Sequence, residues 1–162
     1  MKKNIFFFTI LCISFIACNQ KIESDVSLEQ YNKNLIVAKQ FYVSFSTKDS
    51  ITEASLLSDD FKWNGPSIGQ DSLSKEAFMK GDKEVMVAYS DIKLLGADYY
   101  PGVDTTHKIS SEVRVYGTWN FKSAVSGKTS KAKYYAVFKF NDAGKINELT
   151  ELYNLEDMKK EL

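Results

Sequence analysis

The sequence predicts an α+β domain: helices first, then an antiparallel meander of strands, with a curved sheet wrapped over one long helix as a cone with an open mouth. Three observations predict it. Apolar residues recur at spacings of three and four between Leu28 and Phe45, the period of one helix face. From Ile92 onward the period falls to two, that of strands with one buried face. Between the last two strands stands Asn141-Asp142-Ala143-Gly144, a turn suited to a bulged hairpin with Gly144 in a left-handed conformation.

The chain begins with a segment of another kind. Met1-Lys2-Lys3-Asn4 is a short positive region, and Ile5 to Ile16 is apolar throughout apart from Thr9, Cys12 and Ser14. Such a run is shorter than the roughly 20 residues that cross a bilayer core. Residues 1–17 therefore read as a secretory signal peptide. Its removal takes away two lysines and no acid, which moves the net charge from 0 to −2. It also removes Cys12, leaving Cys18 as the last cysteine. Phe15-Ile16-Ala17-Cys18 resembles the lipobox of bacterial lipoprotein signals, with Phe15 where leucine is usual. That resemblance implies cleavage before Cys18, acylation of its thiol, and a membrane anchor in a bacterial cell envelope. Asn19 rather than an acid after the cysteine favours the outer membrane where there are two. Residues 18–26 are then the lipidated cysteine and a polar tether, reaching at most about 30 Å.

Residues 27–162 are the folded domain. Ser27-Leu28-Glu29-Gln30 fits a capping box. The helix it opens runs to about Thr47, with Leu28, Tyr31, Leu35, Ala38, Tyr42 and Phe45 on its apolar face. Ser50-Ile51-Thr52-Glu53 repeats the capping pattern and starts a short helix through about Leu57. Phe61 and Trp63 follow in an extended segment closed by Asn64-Gly65-Pro66. A third helix begins after Ser74 and runs to about Ala88, with Ala77, Phe78, Val85 and Tyr89 on its buried side. Ile92 to Tyr99 reads as a strand ending near a Pro101-Gly102 turn. Glu112 to Lys122 alternates, with Val113, Val115, Gly117, Trp119 and Phe121 on one face and Arg114, Tyr116, Thr118 and Asn120 on the other. Ser126-Gly127 connects it to Lys131–Phe140, which groups Ala132, Tyr134, Ala136, Phe138 and Phe140. Lys145 to Tyr153 is the last strand, and Asn154 caps a final turn or two of helix.

Leu56-Leu57-Ser58-Asp59-Asp60-Phe61, Tyr116-Gly117-Thr118-Trp119 and the stretch Tyr135-Ala136-Val137-Phe138-Lys139-Phe140-Asn141-Asp142-Ala143-Gly144-Lys145-Ile146 are similar to the nuclear transport factor 2-like superfamily, in its SnoaL-like branch. The similarity runs from about Leu28 to Tyr153. It implies a cone-shaped curved antiparallel sheet, of four strands or so, packed on three N-terminal helices. The superfamily spans isomerases, dehydratases, polyketide cyclases and binding modules, so the fold leaves function open. Its ketosteroid isomerase branch needs a carboxylate base and a polar oxyanion hole. The base is the Asp of an Asp-Pro pair, where this chain has Gly65-Pro66. The protonated Asp corresponds to Ala136, and the helix-one tyrosine to Tyr42, or to Phe41 one residue out of register. Two of three parts are absent, and that chemistry is not expected.

The same register turns Tyr134, Ala136, Leu149, Glu151 and Tyr153 into the cone, joined by Trp119 and Phe121, with Tyr42 and Trp63 near the mouth. The candidate ligand pocket is Tyr42, Trp63, Trp119, Phe121, Tyr134, Leu149, Glu151 and Tyr153. Glu151 is the candidate catalytic residue, since a carboxyl among aromatics has its pKa raised by desolvation unless paired. It could equally receive a ligand's amine or hydroxyl, or face outward and be satisfied locally. The aromatics at these spacings are more often core than binding site.

The leading expectation is an exported, lipid-anchored domain that binds a small apolar or amphipathic molecule, with no catalysis established. The alternatives are a cyclase, dehydratase or isomerase using Glu151 with Tyr42 or Tyr153, and a homodimer formed through an outer sheet face of Arg114, Tyr116, Thr118, Tyr135 and Val137. Gly65-Pro66-Ser67-Ile68-Gly69 matches a nucleophile-elbow pattern with His107 downstream, but lacks the large parallel sheet such an elbow needs. His107 with Asp98 and Asp104 lacks metal-ligand spacing. Lys122, Lys128, Lys131 and Lys133 border a hairpin and read as a solvated face. No cofactor, no metal and no nucleic-acid partner is expected.

Overall fold

The computed structural model describes residues 24–159. The signal, Cys18 and most of the expected tether lie outside the described residues. Helix α1 (Ser24–Thr47) starts earlier than the capping box predicts, so Ser27 lies within it. Gln30 is thereby free to donate to Asn34 Oδ1 (3.0 Å), and Asn34 Nδ2 donates to the Ser111 carbonyl (2.8 Å). Asn34 is a buried polar residue whose hydrogen bonds tie the helix to the sheet. Tyr31, Ala38, Tyr42 and Phe45 are buried as the spacing predicts, and Phe41 with them, whereas Leu28 is 41% exposed. Lys48 closes the helix at φ 61°, with the Asp49 N–H on the Ser44 carbonyl (2.8 Å).

Helix α2 (Ser50–Leu56) is capped by Asp49 rather than Ser50. Asp49 Oδ1 accepts the Thr52 N–H (3.0 Å) and Oδ2 the Thr52 hydroxyl (2.6 Å). Two oxygens hold two donors where a serine would hold one. Strands β1 (Leu57–Asn64) and β2 (Leu73–Ser74) lead into α3 (Lys75–Ala88), which Ser74 caps as expected. Ala77 is exposed on α3, and Met79 and Met86 are buried beside Phe78 instead. Tyr89, expected on that helix, is the buried first residue of β3 (Tyr89–Val103). Strands β4 (Ile109–Ser123), β5 (Thr129–Phe140) and β6 (Ile146–Tyr153) complete the meander before the short α4 (Leu155–Lys159). Asn154 Oδ1 accepts the Glu156 N–H (3.0 Å) at the start of α4, and Gly144 takes φ 73° in the β5–β6 turn.

The architecture is α+β, a curved open sheet packed on helices, but the sheet has six strands in the order β2-β1-β6-β5-β4-β3. It is not wholly antiparallel, as the sequence had suggested. β1 pairs parallel with β6, setting Trp63 opposite Leu149 and Asn64 opposite Thr150. This pairing covers the free edge of β6 and buries Leu57 and Phe61, which a lone extended segment would leave in water. Pro101-Gly102 makes no turn, because β3 continues to Val103. β3 is an edge strand, where a proline without an N–H is tolerated. The turn falls at Asp104–Lys108, where Asp104 Oδ1 accepts the N–H groups of Thr106 (2.7 Å) and Lys108 (3.0 Å). Register shifts along β3, including one between Leu95 and Asp98, bend the sheet around α1.

Candidate functional site

Between the helices and the inner face of the sheet lies a cavity. Phe41 and Phe45 of α1 line one side, Phe78, Asp82 and Val85 of α3 another. The strands contribute Trp119, Phe121, Tyr134, Glu151 and Tyr153. Its empty space is about 460 Å³, counting the part open to solvent. The cavity proper has a volume of about 50 Å³. That is well below the roughly 300–1,000 Å³ of ordinary ligand pockets, so any occupant is small unless side chains give way.

Strand pairing places the carboxyl. Ala136 lies opposite Glu151 and Tyr134 opposite Tyr153, so these four residues share the inner face. Trp63 Nε1 donates to Glu151 Oε2 (2.6 Å), and the Tyr134 hydroxyl donates to Oε1 (2.5 Å). The Tyr42 hydroxyl donates in turn to the Tyr134 oxygen (3.1 Å). Gly65 holds the tryptophan end of this network. A Cβ there would fall 2.3 Å from Trp63 Cη2 and 2.6 Å from Cζ3, so only glycine lets the indole lie across the chain. Glu151 keeps some accessible surface despite its depth, and it lines the cavity. Burial raises its pKa above the usual carboxyl value, and the two donated hydrogen bonds pull it partly back. Burial holds the Tyr42 and Tyr134 phenols well above their ordinary range, so both remain donors at neutral pH. Tyr153 is raised by burial too.

A second acidic element is Glu53 of α2 with Asp82 of α3. Glu53 is fully buried, and its carboxyl oxygens meet no hydrogen-bond donor other than the Asp82 carboxyl. It interacts with the Asp82 carboxyl, and burial pushes both pKa values up, Glu53 to about 7. Two facing carboxyls repel when both are ionised, so one shared proton is the arrangement that satisfies the pair. The Glu151 charge raises both further. Among the described residues, no group of three His, Cys, Asp or Glu side chains is placed to hold a metal ion.

Five residues of the predicted pocket line the cavity: Trp119, Phe121, Tyr134, Glu151 and Tyr153. Tyr42 and Trp63 stand behind them, joined through hydrogen bonds. Leu149 is fully buried core. The phenol on Glu151 is Tyr134, and Tyr42 reaches the carboxyl only through it. Sequence reasoning missed Asp82 and Glu53. A signal for Asp82 existed, since Phe78, Asp82 and Val85 stand at i, i+4 and i+7, an acid within an apolar helix stripe. Glu53 stands in the sequence only as the last residue of a capping pattern.

Outside the cone, Tyr116 and Tyr135 pack at a tilt with ring centroids 4.7 Å apart, and Tyr100 meets Tyr116 edge-on at 6.0 Å. Arg114 pairs with Glu112 at 3.6 Å. A shallow groove of about 880 Å³, open to solvent, runs beside them between Leu95, Lys133 and Leu152. His107 sits at φ 63° in the exposed β3–β4 turn, and Ser67 is exposed between β1 and β2. Lys122, Lys128, Lys131 and Lys133 are exposed.

No protein-family model matches the chain, and no curated protein matches its sequence. Solved structures do match its shape. A candidate isomerase of Bacillus subtilis superposes with a TM-score of 0.66 at 16% identity, over 82% of this chain and 94% of that one. A candidate polyketide cyclase of Xanthomonas campestris gives 0.64 at 16% identity, over 82% and 98%. A protein of ketosteroid isomerase-like fold from Catenulispora acidiphila, in complex with trimethylamine, gives 0.62 at 9% identity, over 77% and 90%. The fold is therefore the nuclear transport factor 2-like, SnoaL-like one.

Proposed function

We propose that this chain is an exported, lipid-anchored domain that binds a small amphipathic molecule in its cone interior. The observation that carries the binding reading is Glu151, oriented by Trp63 and Tyr134 and open to an aromatic-walled cavity. Apolar walls with a few fixed polar groups are the ordinary make-up of a small-molecule site. Carboxyls in the interior favour an amphipathic ligand over a purely apolar one. The trimethylamine complex of the Catenulispora protein supports the use of this fold for small ligands. Export and anchoring rest on Lys2, Lys3, the apolar run from Ile5 and the Phe15–Cys18 motif. Native mass spectrometry of the protein from its own source tests the binding. A retained mass that disappears in Glu151→Gln is expected, and a wild-type chain without bound mass refutes it. Membrane release of Cys18→Ala tests the anchor.

The second reading is general acid–base catalysis, favoured by the Tyr42–Tyr134–Glu151 chain of hydroxyls ending on a raised-pKa carboxyl. The candidate isomerase and cyclase of like fold are consistent with it. Turnover lost in Glu151→Gln while ligand binding persists would select this reading over pure binding.

A further inference from the structure

Resting on that reading of the interior as a ligand site, we infer that the ligand carries a protonated amine, seated between the Asp82 and Glu151 carboxyls with aromatic faces around its carbon substituents. Three elements contribute acids to one region: α2 supplies Glu53, α3 Asp82 and β6 Glu151. The charges that act on Glu53 are Asp49, Asp82 and Glu151, and those that act on Asp82 are Glu53 and Glu151. Glu151 meets only neutral donors, Tyr134 and Trp63. No cation is among these partners. Lys48, just before α2, donates its Nζ to the Tyr89 carbonyl (2.6 Å), and Lys75, at the start of α3, to the Leu57 carbonyl (2.9 Å).

An acidic group alone would not define a ligand. Two further observations do. Glu53 is wholly buried and the partner of its carboxyl is another acid, Asp82, so the pair holds together only while it keeps a proton and counts no cation among its partners. The cavity walls beside Asp82 and Glu151 are the rings of Phe45, Phe78, Trp119, Phe121, Tyr134 and Tyr153. Aromatic faces attract cations, most strongly where water is excluded. An anion would meet like charge on every acidic side. A neutral alcohol would supply one hydrogen bond and no charge. An ammonium ion supplies both the donors and the charge. The cavity volume of about 50 Å³ suits a head group of a few heavy atoms.

Binding should release protons, because the carboxyls that hold protons in the empty site ionise against the cation. Affinity for an ammonium ion therefore rises with pH between 5 and 8. The groups that set this are Glu53, Asp82 and Glu151, with Asp49 beyond Glu53 and the neutral phenols of Tyr42, Tyr134 and Tyr153 facing Glu151.

The test is a series of equal-sized probes on the full-length chain in lipid nanodiscs: propylammonium, 1-propanol and propionate. Both tryptophans belong to the site or its support, so intrinsic fluorescence reads binding, with calorimetry as a check. Propylammonium is expected to bind at least tenfold tighter than 1-propanol, with propionate weakest, and tighter at pH 8 than at pH 5. In Asp82→Asn the preference should fall to within about threefold. The wild-type series decides the matter even where a variant does not fold. Equal or tighter binding of 1-propanol or propionate overturns the amine assignment and leaves the pocket standing. Binding of none of the three, with no retained mass in the native protein, removes the pocket reading as well. Absence of propylammonium binding alone overturns the inference whatever else is retained.

Discussion

Neighbouring residues of β4 and β5 sit in two different environments, one on each face of the sheet. Inward, Val113, Val115, Ala136 and Phe138 are fully buried under α1, and Trp119 and Tyr134 border the cavity. Outward, Arg114, Tyr116, Tyr135 and Val137 form a tyrosine-rich surface, with Tyr116 47% exposed. The inner face is covered by helices that bring acids with them, and burial changes how those acids hold protons. The outer face is less covered: Arg114, Tyr135 and Val137 are half-buried, and Tyr116, Lys131 and Lys133 are exposed. The same alternation of residues thus makes a chemical environment on one side and a surface on the other. The difference lies in what covers each side.

That contrast can be broken at four points. Phe138→Ala should have the largest effect. The ring is fully buried against Phe41 and Tyr42, with centroids 5.5 and 5.4 Å away. Its loss should cost about 3–5 kcal/mol in denaturant unfolding; a cost under 1 would mean that the cone interior is loosely packed.

The second point is pH. Glu53, Asp82 and Glu151 hold protons more tightly folded than unfolded, so the native state carries extra protons between the ordinary carboxyl range and about pH 7. Stability therefore falls as pH rises through that window. A rise in Glu53 from 4.5 to about 7 corresponds to roughly 3 kcal/mol, at about 1.36 kcal/mol per pH unit. Asp49 and Asp104, lowered by hydrogen bonds, act the opposite way only at lower pH. Unfolding followed from pH 4.5 to 8 should show the decline in the wild type and a flatter profile in Glu53→Gln. A flat wild-type profile would mean the acids are solvated.

Gly65→Ala comes third. The added methyl meets the Trp63 ring and should displace it from Glu151, destabilising by about 1–3 kcal/mol. Tryptophan emission should shift to the red, and unchanged emission would show that Trp63 tolerates the methyl. The smallest effect is expected on the outer face. Tyr116→Ala loses the ring contacts to Tyr135 and Tyr100, worth about 1 kcal/mol or less. Self-association through this face is the alternative that the sequence offers. A sedimentation coefficient that drops in Tyr116→Ala would support it, and an unchanged one would remove that face as an interface.

Much of this was legible in the sequence where a residue's neighbours are set by local geometry. The α1 stripe, the alternation in β4 and β5, the Ser74 and Asn154 caps and the Gly144 turn all follow from periods and short-range hydrogen bonding. The errors share another cause. Asp49 outcompeted Ser50 as a cap because a carboxylate offers two acceptors. Pro101 stayed in a strand because β3 is an edge. β1 joined β6 in parallel because a free strand edge and two apolar side chains needed cover. Each depends on what lies beside the segment in space.

The candidate site divides in the same way. Glu151, Tyr134, Tyr153, Trp119 and Phe121 were placed inside by strand period and register, which the chain carries locally. Glu53 and Asp82 joined them only because α2 and α3 pack over the cavity end of the cone. Their raised pKa values belong to no short segment, since desolvation and charge–charge repulsion are properties of the assembled interior. The sequence by itself determined the α+β order of elements and which face of each strand turns inward, because side-chain direction follows from backbone period. The tertiary structure alone decided that three acids from three elements would meet in one buried region, because only packing brings distant charges together and excludes the water that would separate them.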